Sequence, residues 1–218
     1  MAERLAIVDY GAGNLRSVAK ALETVARDMG RELQVIVTAS ADTIAAADRI
    51  VLPGVGAFGQ CAAALRALPG MEAALERRVI EEGTPFLGVC VGMQLLARRG
   101  SEHGSHRGLG WIPGEVVRLA PSDLLLKVPH MAWSPVRLTA EGAAHPALSK
   151  LDDGGQAYFV HSYHFVPADG TQLLGTCDYG GEVAAIIGGG NILGVQFHPE
   201  KSQAYGLAFL RHFLEWRP

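Results

Sequence analysis

The run from Pro85 to Gln94, Pro-Phe-Leu-Gly-Val-Cys-Val-Gly-Met-Gln, constrains the fold more than any other stretch. Its apolar, strand-like first half ends on Cys90, with Gly88 two residues before and Gly92 two residues after. A helix-like run from Met93 to Arg98 follows. This is the thiol form of a nucleophile elbow, G-x-C-x-G, in which a strand turns sharply into a helix. The corner residue is then held in a strained backbone conformation, and side chains two positions either side would collide. The thiol projects at the C-terminal edge of the sheet. It also sits at a helix N-terminus, whose partial positive charge favours thiolate. Taken alone, a cysteine in an apolar run is most simply a small buried hydrophobe. The functional reading draws its weight from residues a hundred positions further on.

Those residues are Gln196-Phe197-His198-Pro199-Glu200, at the end of another strand-like run, Ile192 to Phe197. A thiol nucleophile needs a base, and the base needs an orienting partner. His198 and Glu200 suit these roles. If the chain stays extended there, residues two apart share a face, so imidazole and carboxylate point the same way. Taken alone, His198 is equally well a loop histidine. His103 and His106 lie in a Gly/Ser/charged loop and read as solvated. His145 reads as a loop residue and His212 as a surface-helix residue, while His130, His161 and His164 lack an evident orienting carboxylate.

Acyl transfer also requires an oxyanion hole, preferably of backbone N–H groups. The amide of Val91, just after the nucleophile, is the natural first donor. Pro53-Gly54-Val55-Gly56 closes the third strand-like run and would lie near the same sheet edge. Its Gly54 and Val55 amides are candidates for the second donor, and Gly56 lets the backbone approach a substrate closely. A plain strand-to-helix loop is the competing reading of that turn. Gly11-Ala12-Gly13-Asn14-Leu15-Arg16 superficially suggests a dinucleotide loop, but Arg16 stands where the third glycine is needed.

The rest of the chain supplies a frame for this chemistry. Leu5–Val8, Leu33–Thr38, Arg49–Leu52 and the Phe86 run read as strands, alternating with helical patterns. The first helix has Asn14 as its N-cap and Leu15, Val18, Leu22 and Val25 on its apolar face; others span Gly59 to Leu68 and Met71 to Glu82. Continuous apolar strands alternating with helices predict an α/β fold, a mostly parallel sheet with helices on both faces. Ligands bind such sheets beyond the carboxyl ends of the strands, where Cys90 would be. From Gly108 the strand candidates become short and punctuated by Gly and Pro: Val116–Leu119, Ala157–His161, Leu173–Asp178, Ala184–Ile187 and Ile192–Phe197. They predict a smaller antiparallel section in the C-terminal half, laid against the parallel sheet. An amphipathic helix from about Ala204 to Trp216 ends the chain. With no linker or repeat, the 218 residues read as one domain, 1–218.

Composition narrows the partners. A formal net charge of -3 without basic clustering gives no sign of nucleic acid or an anionic membrane. No apolar run reaches the ~18 residues of a membrane span. The start, Met1-Ala2-Glu3-Arg4, lacks a signal-peptide pattern. Cys61, Cys90 and Cys177 show no metal-ligand spacing, and their odd number fits reduced thiols. The expectation is a cytoplasmic protein with neither metal nor cofactor.

Together the elbow cysteine and the downstream His-Pro-Glu resemble the class I, triad-type glutamine amidotransferases. Further stretches are similar to the glutaminase subunits of imidazole glycerol phosphate synthases. They are Asp9–Leu15, Pro53–Phe58, Gly108–Trp111, Pro129-His130-Met131, Tyr158–Tyr163 and Gly194–Ser202, so the resemblance covers nearly the whole length. It implies that Cys90 attacks the side-chain amide of L-glutamine and that His198, oriented by Glu200, protonates the departing ammonia. Gln94 and the backbone around His161, Ser162 and Tyr163 would hold the glutamine. Ammonia would pass to a separate (β/α)₈-barrel cyclase subunit in a heterodimer serving histidine biosynthesis. Asn14, Trp133 and Lys201 match partner-facing positions. Such glutaminases are nearly idle until the partner binds its ligand, which is linked to rearrangement at Pro53–Gly56. The family usually reads P-H-M-G-W-N, where this chain has Ala132 and Ser134, a departure that bears on interface contacts and activation. Other triad amidotransferase subunits, serving anthranilate, aminodeoxychorismate or pyridoxal phosphate synthesis, and a stand-alone thiol hydrolase are the alternatives.

Overall fold

The computed structural model describes residues 2–218. Its first half alternates as the apolar runs dictate: β1 (Glu3–Val8), α1 (Leu15–Asp28), β2 (Leu33–Thr38), α2 (Ala41–Ala45), β3 (Arg49–Gly54), α3 (Phe58–Ala67), α4 (Met71–Leu75) and β4 (Phe86–Cys90). The second half comprises α5 (Val91–Gln94), β5 (Arg99–Gly100), β6 (His106–Arg107), β7 (Gly114–Arg118), β8 (His130–Pro135), β9 (Arg137–Leu138), α6 (Ala140–Ala144), β10 (Gln156–His161), β11 (Tyr163–Pro167), β12 (Leu173–Asp178), β13 (Glu182–Gly189), β14 (Ile192–Val195) and α7 (Gln203–Glu215).

The main sheet runs β2-β1-β3-β4-β14-β13-β12-β9. Pairing is parallel from β2 through β14 and antiparallel beyond it. Every residue of β3 and β4 is buried, as strands covered on both faces must be. The antiparallel section has two parts. Strands β12 and β13 continue the main sheet rather than lying against it, while β8–β10 form a two-stranded ribbon and β11-β7-β5-β6 a small separate sheet.

Several elements differ from the sequence expectation for identifiable reasons. The helix after Cys90 starts at Val91 and stops at Gln94, short of Arg98. The carbonyls of Leu95, Leu96, Ala97 and Arg98 accept hydrogen bonds from Leu109, Ile112, Gly110 and Gly108, so the returning Gly108–Ile112 segment supplies the donors that a longer helix would have used. The Met71 helix continues past Leu75 as a π-helical stretch, Glu76–Glu81. Asn14 occupies the N-cap position of α1 without a side-chain capping bond; Val18, Leu22, Val25 and Ala26 are the buried face of that helix. Strands β8 and β11 have no counterpart in the sequence reading.

A buried charge ties the far edge of this frame together. Arg49 opens β3, and its guanidinium donates to the carbonyls of Phe213 (2.8 Å) and Trp216 (2.7 Å) and pairs with Glu3 at 2.8 Å. The C-terminal carbonyls of α7 thereby find donors, and the charge is compensated despite burial.

Candidate active site

The elbow forms at the carboxyl end of β4. Cys90 has φ 56° and ψ −112°, outside the regions comfortable for an L-residue. The flanking glycines are required by contact. A Cβ on Gly92 would lie 1.7 Å from the carbonyl oxygen of Leu52, and one on Gly88 2.6 Å from that of Gly92. Gly54, paired with Cys90 across β3 and β4, is equally confined: its Cβ would meet the Gly92 nitrogen at 2.8 Å and the Tyr10 hydroxyl at 2.6 Å. Three backbone segments thus converge around the thiol.

His198 enters from the end of β14. Its N–H donates to the Tyr158 carbonyl at 3.0 Å, and its carbonyl accepts from the Ser202 hydroxyl at 2.7 Å. Ser202 Oγ in turn accepts the Tyr158 N–H at 3.0 Å, so the loop is fastened to β10 by two hydrogen bonds and braced internally by a third. His198 Nδ1 lies 2.9 Å from Glu200 Oε1, with both side chains buried. An extended His198 followed by a 3-10 turn at Pro199–Lys201 creates this contact, not the alternation of a continuing strand. With Nδ1 engaged by the carboxylate, Nε2 is the nitrogen left for Cys90. Burial by itself would lower the His198 pKa, but hydrogen bonds to Cys90 and Glu200 and their charges prevail and raise it to about 9. A proton taken up by the imidazole is thus stabilised by the Cys90 and Glu200 charges beside it.

Cys90 and His198 share one cleft of about 310 Å³ with Val55, Gly56, Val91, Gln94, His161, Ser162, Tyr163 and Lys201. That volume is at the lower end of small-ligand sites, roughly 300–1,000 Å³. Gly54 lies behind this lining, packed against Tyr10 and Gly92. The Pro53–Gly56 turn is held by two side chains that sequence reasoning missed: the Tyr10 hydroxyl donates to the Pro53 carbonyl at 2.7 Å, and the Cys61 thiol reaches the Val55 carbonyl at 3.6 Å. Burial raises the pKa of both groups, keeping them protonated donors.

Gln94 and Gln196 form a polar floor. Gln94 Nε2 donates to the Tyr163 carbonyl (2.9 Å) and to Gln196 Oε1 (3.0 Å), and Gln196 Nε2 reaches Cys90 Sγ at 3.6 Å. Gln196 was also missed. The available signal was its place two residues before His198, in the same extended segment.

Trp133 pairs across the ribbon with Tyr158 (ring centroids 5.9 Å apart), and the Lys201 ammonium lies 5.8 Å from the Tyr158 ring, so two of the three expected partner-facing residues cluster. Asn14 stands at the N-cap position of α1, the helix that contacts the Pro199–Lys201 turn, and adjoins Gly13, whose Cβ would be 3.4 Å from Pro53. Ser134 is buried rather than at the surface. His106, read as a solvated loop residue, packs its ring over Gly59, and His130 and the expected glutamine-binding His161 form a buried pair. Among the described residues no helix is long and apolar enough to cross a membrane.

An α/β sheet with a thiol elbow and an adjacent histidine–glutamate pair defines a class of thiol-dependent acyl-transfer enzymes. Residues 6–215 match the family Glutamine amidotransferase class-I, and the chain belongs to that family. Within it, the chain is 56% identical to the imidazole glycerol phosphate synthase subunit HisH of Zymomonas mobilis, covering 98% of this chain and 96% of that protein. It is 50% identical to the subunit of the same name from Rhodospirillum rubrum, over 99% of this chain and all of that protein. The Agrobacterium fabrum subunit is 49% identical, over 99% of this chain and 100% of its own length. Solved glutamine amidotransferases share the fold at low identity. One has a TM-score of 0.69 at 19% identity, covering 96% of this chain and 97% of its own. Another, from Thermotoga maritima, has a TM-score of 0.66 at 15% identity, covering 99% and 97%.

Proposed function

We propose that this chain is the glutaminase subunit of an imidazole glycerol phosphate synthase, hydrolysing L-glutamine to glutamate and ammonia and delivering the ammonia to a cyclase subunit. The observation that carries the reading is the shared cleft of Cys90 and the His198–Glu200 pair, in a chain half or more identical to proteins named for that synthase. His198 takes the Cys90 thiol proton as Sγ bonds to the amide carbon of glutamine, and charge builds on the amide oxygen. The Val91 amide and an amide from Gly54 or Val55 receive that charge. The C–N bond breaks as His198, now carrying that proton, gives it to the leaving nitrogen. Water then attacks the thioester, and His198 takes its proton and returns it to the Cys90 sulfur as the C–S bond breaks to release glutamate. No external cofactor is needed to balance these steps.

Glu200 orients the imidazole. Gly56, Gln94, His161, Ser162 and Tyr163 form the glutamine-binding surface. Because both Gln94 amide hydrogens are already donated, Gln94 offers its oxygen to the substrate. The chain acts as one domain, 1–218, in the cytoplasm, paired as a heterodimer with a (β/α)₈-barrel cyclase through a face that includes Asn14, Trp133 and Lys201.

The test is glutamine hydrolysis by the purified chain alone, with the cyclase subunit, and with that subunit plus its nucleotide ligand. The expected result is a rate that rises with the cyclase and rises again with the ligand. Stimulation by an anthranilate-synthase-type partner and not by the cyclase contradicts the proposal, as does full turnover of esters or peptides without a partner.

A further inference from the structure

The β8–β10 ribbon carries an unbroken run of hydrogen bonds on its buried face. His130 and His161 are directly opposed across the ribbon, with His130 Nδ1 3.2 Å from His161 Nε2. His130 Nε2 is 2.9 Å from the Ser134 hydroxyl, and His161 Nδ1 is 2.9 Å from the Tyr163 carbonyl. That carbonyl also accepts from Gln94, which donates to Gln196, which reaches Cys90. The carbonyl can only accept, so His161 carries its proton on Nδ1 and accepts on Nε2. His130 must then carry its proton on Nδ1, and Ser134 donates to His130 Nε2. From Ser134 to the Tyr163 carbonyl every donor points the same way, and Gln94 donates to that carbonyl from the other side. Burial keeps both rings neutral, lowering the pKa of His130 to about 4 and that of His161 to about 3.

The chemistry of the pair argues for more than packing. Apolar side chains would fill the same space without needing matched tautomers, and a buried polar group left unpaired is costly. His130 is sandwiched between Phe159 (4.9 Å between centroids, 14°) and Tyr179 (3.9 Å, 22°), which fixes its ring plane. Its remaining freedom is spent on aiming Nδ1–H at His161. His161, with both ring nitrogens engaged, has no free polar atom to offer a substrate. What it does is hold the Tyr163 carbonyl, one of the two acceptors that fix the Gln94 side chain.

From this geometry we propose that His130 and Ser134 are positioning residues for the glutamine site, acting through His161 and the Tyr163 carbonyl on Gln94. Neither touches the substrate. The proposal rests on the glutaminase reading above, since it concerns how that site is held. It also gives Ser134 a role on the buried face of the ribbon: its hydroxyl donates to the nitrogen of His130 that the Tyr163 carbonyl leaves as an acceptor.

The experiment compares His130→Phe, His130→Asn and Ser134→Ala in the complex with the cyclase subunit, measuring KM and kcat for glutamine. Phenylalanine keeps the aromatic stack but loses the donor to His161; asparagine keeps a donor at the Nδ1 position. His130→Phe is expected to raise KM about tenfold, with kcat within about twofold, the size of one buried polar group left unpaired. His130→Asn should restore KM to within about threefold of wild type. Equal KM values for the two His130 variants and wild type overturn the positioning role and leave the glutaminase reading standing. A wild-type complex that hydrolyses no glutamine overturns both. If His130→Phe does not fold, Ser134→Ala decides, with an expected KM increase of about threefold and a wild-type value counting against the proposal. Nitrogen-15 spectra of histidine-labelled wild type add a readout independent of turnover. Two neutral Nδ1–H tautomers are expected at neutral pH, and an Nε2–H tautomer or imidazolium at either position refutes the chain as drawn.

Discussion

Cys90 sits at φ 56° and ψ −112°, and replacing it by alanine or by glycine removes the thiol in both cases. Only alanine keeps the Cβ that makes this conformation unfavourable, so the pair isolates the strain of the elbow from the loss of the nucleophile. A non-glycine residue held in such a region costs on the order of 1–3 kcal/mol, and this position belongs near the upper end because it falls outside even the left-handed helical region. Against this, glycine loses about 1 kcal/mol more chain entropy on folding, and a buried methyl group contributes about 0.8 kcal/mol. Glycine is therefore expected to be the more stable variant by about 1 kcal/mol. For a chain of this size that amounts to roughly 2–4 °C in Tm. Urea unfolding of both variants followed by circular dichroism, with thermal scans alongside, measures the difference; neither variant should hydrolyse glutamine. An alanine variant as stable as the glycine variant, or more so, refutes the strained elbow, and with it the reason given for how the thiol is presented.

Loss of His198 should cost more than loss of Glu200. In a Ser-His-Asp triad the base costs on the order of 10⁶ in kcat and the orienting carboxylate on the order of 10⁴; the same ranking is expected here, and steady-state rates of His198→Ala and Glu200→Ala test it. The His198 pKa of about 9 depends on Cys90 and Glu200, so in Cys90→Ala it should fall, read by an NMR titration of the imidazole. Because the folded value lies above the ordinary 6.5, the stability His198 contributes is complete below pH 6.5 and is lost as pH rises through about 9; urea unfolding of wild type and His198→Gln across that range should converge toward its upper end. Gly92→Ala, whose Cβ would be 1.7 Å from the Leu52 carbonyl oxygen, should destabilise by more than ~3 kcal/mol, since a backbone atom cannot rotate away.

How much of this was legible in the sequence followed from the range of the forces involved. The strands β1, β3 and β4 announce themselves as apolar runs because burial on both faces leaves little choice of residue. The elbow was legible because two glycines at fixed spacing record contacts of the backbone with itself. His198 and Glu200 were legible as chemical types and as neighbours, but the alignment expected of extended chain is made instead by a 3-10 turn. Where distant segments compete for backbone groups, the sequence is silent: α5 stops at Gln94 because Gly108–Ile112 takes the next carbonyls. Arg49 looked like an ordinary strand boundary, yet it holds the end of α7. His130 and His161 are 31 residues apart and gain meaning only through their cross-strand register. Gln196 needed the fold to bring it to the thiol.

On the proposed mechanism Cys90, and neither Cys61 nor Cys177, carries the glutamyl group, and that group can be read directly. The complex with the cyclase subunit and its ligand, mixed with glutamine, quenched in acid within one turnover and digested for mass spectrometry, should yield a glutamyl adduct on the peptide containing Cys90. An adduct on the Cys61 or Cys177 peptide, or hydrolysis that proceeds unchanged in Cys90→Ala, contradicts the account.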